Sequence, residues 1–136
     1  MKKIIILAIF VIFISSNASA LTCSNLQGSS TTAENNNVDV IRDGFSGETI
    51  RLSSVAGESN LIEARWGQGI TDNPVKVHTV NDNKWNITVY VAPRRDVMRT
   101  YTLYQSRNKT VLGISELQTR IFDNAPQQRN YFANCR

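Results

Sequence analysis

His78 is the only histidine in the sequence, so proton-transfer chemistry near neutral pH is most simply built around it. A carboxylate base, a histidine acid and an arginine on a phosphate would together suit phosphodiester cleavage. The residues at hand are Glu63, His78 and one of Arg94, Arg95 or Arg99. A Ser-His-Asp nucleophile is not favoured, because no G-x-S-x-G run is present. A zinc site would be short of ligands, with one histidine and two cysteines that read better as a bridge. Neither a metal nor a cofactor is expected. His78 itself lies in an alternating stretch, on the parity opposite Val75 and Val77, and reads as a solvent-facing strand residue.

The competing chemistry is non-covalent. Trp66, Tyr90, Tyr101, Tyr104 and Tyr131 combine large apolar area with a polar tip and would suit a protein or sugar surface. Trp66 borders the loop 67–74, G-Q-G-I-T-D-N-P, and a second loop begins at Pro93-Arg94-Arg95-Asp96. Loops at one end of a rigid β framework commonly carry function. The expected contact surface therefore joins residues 67–74 to residues 93–99, with Trp66, Gln68, Arg94, Arg95 and Arg99 as its binding side chains.

Residues 1–20 read as a secretory signal peptide. Lys2 and Lys3 precede an apolar run of 11 residues (4–14), and the segment ends in Ala18-Ser19-Ala20. The run is too short for the ~20 residues that cross a bilayer, so no membrane span is expected after cleavage. The start has a bacterial character, which places the mature chain, residues 21–136, in the periplasm or the medium. There, two cysteines read as a disulfide. Cys23 and Cys135 would tie the ends together, removing unfolded-state entropy worth roughly 4–5 kcal/mol in the simple loop model. With no C-x-x-C pair, a structural role is favoured over a redox one.

The formal charge of +4 includes Lys2 and Lys3 and falls to +2 without them, too little to indicate a nucleic-acid partner. Its distribution is uneven. Residues 21–83 hold four basic and eight acidic side chains; residues 84–136 hold nine basic and three acidic. Two halves interleaved in one sheet system would neutralise each other; a basic face built from strand ends and loops of the second half is the alternative. Asn86-Ile87-Thr88 and Asn108-Lys109-Thr110 match the glycosylation tripeptide, which matters only in a eukaryotic source.

The positioning elements are strands. In residues 84–92, Trp85, Ile87, Val89 and Val91 alternate with Asn86, Thr88 and Tyr90, the period of a half-buried strand. Residues 75–80 precede it, and Asn81-Asp82-Asn83 supplies turn chemistry, so a hairpin with the Trp85 face inward is expected. Residues 38–42 and 49–54 suggest a second hairpin around Asp43-Gly44 and Ser46-Gly47. Residues 61–66, 100–105 and 110–114 read as further strands. Residues 21–37, rich in Ser, Thr and Asn, read as a loose arm apart from the Cys23 tether. Ile114, Leu117, Ile121 and Phe122 recur at helical spacing, which suggests a short helix over 115–122, with a last strand as the alternative.

Seven or so short strands with regular turn signals imply one mainly β domain, a small antiparallel sandwich or barrel with a tethering disulfide and one short C-terminal helix. The expected function is non-catalytic binding of a protein or glycan partner, as an adhesin or surface subunit, an inhibitor or immunity protein, or the receptor-binding part of a toxin. A nucleic-acid partner is not expected, and strand edges leave oligomer formation open. The alternative is a small secreted ribonuclease-like hydrolase using Glu63, His78 and an arginine.

Overall fold

A computed structural model describes residues 20–34, 37–42, 47–118 and 127–136. The elements are β1 (Leu21–Glu34), β2 (Asn37–Arg42), β3 (Ile50–Val55), β4 (Glu58–Trp66), β5 (Thr71–Asp72), β6 (Val75–Asn81), β7 (Asn86–Pro93), β8 (Val97–Gln105), β9 (Thr110–Gln118) and β10 (Gln127–Cys135). All belong to one antiparallel sheet. The sheet runs β1–β3–β4–β6–β7–β8–β9–β10 and closes because β10 pairs with β1. Of the two architectures the strand pattern allows, this is the barrel, with β2 and β5 as side pairings on β1 and β4. The residues 1–19 assigned to a signal peptide lie outside the described residues.

Side chains enter the barrel in layers set by register. Tyr90, Tyr101, Ile114, Tyr131 and Gly28 stand opposite one another across five successive strands. One step towards the disulfide come Thr88, Leu103, Leu112 and Ala133. One step the other way come Ala92, Arg99, Glu116, Arg129 and Ser30. Leu26, Ile50, Leu52, Ala64 and Trp66 complete the buried interior from β1, β3 and β4. Gly28 is required in its layer, since a Cβ there would fall 2.1 Å from Cδ1 of Tyr131 and 2.4 Å from the Asn130 carbonyl oxygen.

Cys23 and Cys135 are register partners with Cα atoms 3.9 Å apart, and they form the disulfide. Thr22 and Arg136 beside them exchange both backbone hydrogen bonds at 2.8 Å. The bridge therefore occupies a pair that shares no ladder bonds, where side chains approach most closely. This is the disulfide end of the barrel; the turns after β3, β6 and β8 lie there. The connections after β4, β7 and β9 lie at the opposite, loop end.

Several sequence expectations change. Residues 21–34 are the long strand β1 rather than a loose arm. Asn25 adopts φ 57°, and the pairing with β10 shifts between Ser24 and Gln27, so the inward positions Cys23, Leu26 and Ser30 lose the period-2 spacing. The bulge hides the strand from a periodicity reading. Residues 38–42 and 49–54 do not pair with each other: β2 and β3 both add to β1, which is long enough to serve both.

The hairpin β6–β7 forms, and Asp82 turns it by accepting the Lys84 N–H at 2.7 Å. Its faces are reversed, however. Thr88 and Ala92 are buried and Tyr90 packs on the core, whereas Trp85, Ile87, Val89 and Val91 are only partly covered. Periodicity identifies two faces but not the inner one. The interior that holds Trp66, Tyr101 and Tyr131 takes Thr88, Tyr90 and Ala92 from β7, one large ring flanked by two small side chains. The short helix is also absent: Ser115–Gln118 continues β9, paired with β8 and β10, and Leu117 is exposed. Residues 119–122 of that expected helix lie outside the described residues.

Candidate functional site

The loop end holds the densest polar arrangement of the described chain. Arg99, Glu116 and Arg129 sit directly opposite one another on β8, β9 and β10, so opposite charges alternate across the sheet inside the barrel. Asp72 reaches the same place from β5, the two-residue strand that pairs with Ala64 and Arg65 of β4. Its Oδ2 accepts from Arg99 at 2.9 Å and from the Tyr101 hydroxyl at 2.6 Å, while its Oδ1 lies 3.1 Å from Arg94 Nε. Trp66 Nε1 donates to the Tyr101 hydroxyl at 2.9 Å. The Arg99 guanidinium also donates to Glu116 and lies 5.0 Å from the centre of the Trp66 ring, within cation–π range. Glu116 in turn lies 3.6 Å from Arg129.

Asp72, Arg99 and Glu116 are all buried. Isolated charges at such depth would be costly, and this network pairs each with an opposite charge and directed hydrogen bonds. Burial alone would lower the Arg99 pKa, but its bonds to Asp72 and Glu116 outweigh burial and raise it. The Tyr101 hydroxyl is held well above the ordinary tyrosine value, first by burial and then by the Asp72 carboxylate beside it. Tyr90 is raised by burial. Arg99, Tyr101 and Tyr90 are thus each held more firmly in the protonated form.

The side chains expected to bind fall into two sets. Trp66 and Arg99 are inside the barrel, 2% and 6% exposed, where they support the loops rather than offer a surface. Gln68, Arg94 and Arg95 are on the surface. Gln68 donates to Glu48 at 2.8 Å, and Arg94 and Arg95 border an open depression of about 270 Å³ that continues to Val97. The two loops expected to act together do meet, and Asp72 is the residue that joins them. Neither Asp72 nor Glu116 stood out in sequence. An isolated Asp in a polar loop has no signature, and Glu116 falls in the stretch whose apolar spacing imitates a helix.

The hydrolytic set does not assemble. Leu61 pairs with Val75 and Ala64 with Asp72, which sets Glu63 level with position 73, whereas His78 lies further along β6, beyond the irregularity between Lys76 and His78. Glu63 is engaged with Arg65 at 2.9 Å, and His78 is exposed on β6. Arg94, Arg95 and Arg99 belong to the loop end, whereas β6 runs from Val75 towards the disulfide end. Among the described residues no group of three His, Cys, Asp or Glu side chains is placed to hold a metal ion. No helix among them is long and apolar enough to cross a membrane.

Comparison with protein-family models, curated proteins and solved structures finds no match.

Proposed function

We propose that this protein is a non-catalytic binding module of an oxidising compartment outside the cytoplasm, reached by export and cleavage after Ala20. In this reading it presents the loop end of the barrel to a protein or glycan partner. The supporting observation is the three-way engagement of Asp72 with Arg94, Arg99 and Tyr101. It anchors loop 67–74 and the turn after β7 to the buried wall, so a partner meets a preformed surface and less ordering entropy is lost on binding. The Cys23–Cys135 disulfide is compatible with such a compartment. The separation of Glu63 from His78 speaks against the hydrolytic alternative. Exposed Arg51 and Arg65 on the outer face speak against a lipid-embedded barrel, where such charges are costly at mid-depth.

The test uses the oxidised chain incubated with extracts of the source cell and a host, with RNA breakdown and stoichiometric co-purification both measured. A defined partner lost on Arg95→Glu, without turnover, supports the reading. Turnover of RNA abolished by His78→Ala overturns it. Arg94→Glu is a poorer probe, because it sets a carboxylate beside Asp72 and would also weaken the fold.

A further inference from the structure

The disulfide end gathers cations of a different kind from those at the loop end. Register places Cys135 opposite Thr110, and Thr110 opposite Gln105, so the β8–β9 turn lies against the end of β10. The turn is closed by Ser106, whose N–H and hydroxyl both donate to the Lys109 carbonyl at 2.8 and 3.1 Å. Arg136 is held by its reciprocal backbone bonds to Thr22. From this fixed backbone Arg107, Lys109 and Arg136 line an open depression of about 450 Å³, together with Asn108, Thr110 and Asn134. No acidic side chain lines it. None of the three cations has a side-chain hydrogen bond or ion pair among the described residues.

We propose that this depression binds the sulfate or carboxylate groups of an acidic polysaccharide. Three cations with no acidic side chain among the lining residues concentrate positive potential where an anion can approach. Arg107 and Arg136 supply planar forks for oxyanions and Lys109 a compact charge. Asn108, Asn134 and Thr110 both donate and accept hydrogen bonds, as sugar hydroxyls require. Single-stranded nucleic acid is the weaker fit, since such sites add aromatic platforms for base stacking and no aromatic side chain lines this one. The opposed Arg51 and Arg65 on β3 and β4 are a poorer candidate, because Arg65 is already engaged by Glu63. The site is at the other end of the barrel from the loop surface and does not depend on it.

The probe is heparin, titrated into the oxidised full chain. Neutralising three anionic groups predicts a loss of affinity of tenfold or more between about 50 and about 200 mM salt, by counterion release. Arg107→Ala with Lys109→Ala is expected to weaken heparin binding at least tenfold at low salt and flatten that salt dependence, leaving the melting temperature unchanged. Arg51→Ala with Arg65→Ala removes the same charge from the outer face and is expected to change affinity less than twofold. The proposal is overturned if the turn variant binds like the parent protein, or if both double variants lose affinity equally. A DNA fragment binding as tightly as heparin, or free sulfate competing as well as heparin at equal charge, would also overturn it. Arg95→Glu, the probe of the loop end, is expected to retain heparin binding, so the two readings fail separately.

Discussion

The Arg99 guanidinium donates to the Asp72 carboxylate at 2.9 Å across 27 residues of chain, and both groups are buried. Asp72 is the only described residue of loop 67–74 that enters the barrel as a charge, and Arg99 is its counterpart on the wall. The pair couples the position of a surface loop to the packing of Trp66 and Tyr101, which share its hydrogen bonds and cation–π contact.

Removing Asp72 should leave Arg99 with Glu116 alone. Asp72→Ala is expected to cost about 3–5 kcal/mol, the usual cost of breaking a buried ion pair from one side. Chemical denaturation reads this directly. Asp72→Ala combined with Arg99→Met should cost less than the two single changes summed, since the second change removes the stranded cation. Strict additivity would refute the coupling.

Tyr90 and Tyr101 should resist ionisation. Both have folded-state pKa values raised above 10.0, so the unfolded chain releases its tyrosine protons first as pH climbs. Their stabilising contribution is fully present below pH 10 and diminishes above it. An ultraviolet titration of the native protein should therefore leave part of the tyrosinate signal undeveloped until the barrel unfolds. Complete ionisation near pH 10 with native circular dichroism retained would contradict this placement.

Cys23→Ser with Cys135→Ser opens a loop of sequence separation 112. The chain-entropy model expects a loss of roughly 4–5 kcal/mol, measurable as a lowered denaturation midpoint. A loss below about 1 kcal/mol would mean that residual structure keeps the ends of the unfolded chain close without the bridge.

Gly28→Ala should destabilise strongly, because the new methyl group meets the Tyr131 ring and the Asn130 backbone oxygen. Overpacking of this type costs about 1–3 kcal/mol or more. Adding Tyr131→Ala is expected to recover only part of the loss, as the backbone contact remains. Full recovery would show that the ladder moves easily at this point.

β7 and β8 are legible in sequence because the turns that bound them are short and their alternation unbroken; β6 is legible from its turn, since its pairing with β7 shifts between Lys76 and His78. Asn81-Asp82-Asn83 and Ser106–Lys109 mark their ends with residues that bond their own backbone. β1 was not legible, since the Asn25 bulge displaces Leu26 and Ser30 from the parity of Cys23. The inner face of β7 is not legible in sequence, because Val and Ile on its outer face outweigh Thr88 and Ala92 in hydrophobicity. The two loops of the candidate site were legible from Gly, Pro and Arg content; Asp72, which joins them, is defined only by tertiary geometry.

The pairing of β1 with β10 carries a consequence for the order of events during biogenesis. The pairs β6–β7, β7–β8, β8–β9 and β9–β10 join neighbours in the chain and can form as soon as each turn is available. β1 finds its main partner in β10, across a sequence separation of 112 at the bridged pair, and so distant a contact closes slowly. Until Gln127–Cys135 arrives, the barrel has no seam to close and Cys23 has no bonding partner in this chain. Closure of the ring is therefore the last step of folding, and the Cys23–Cys135 bridge seals a seam that the earlier hairpins cannot supply.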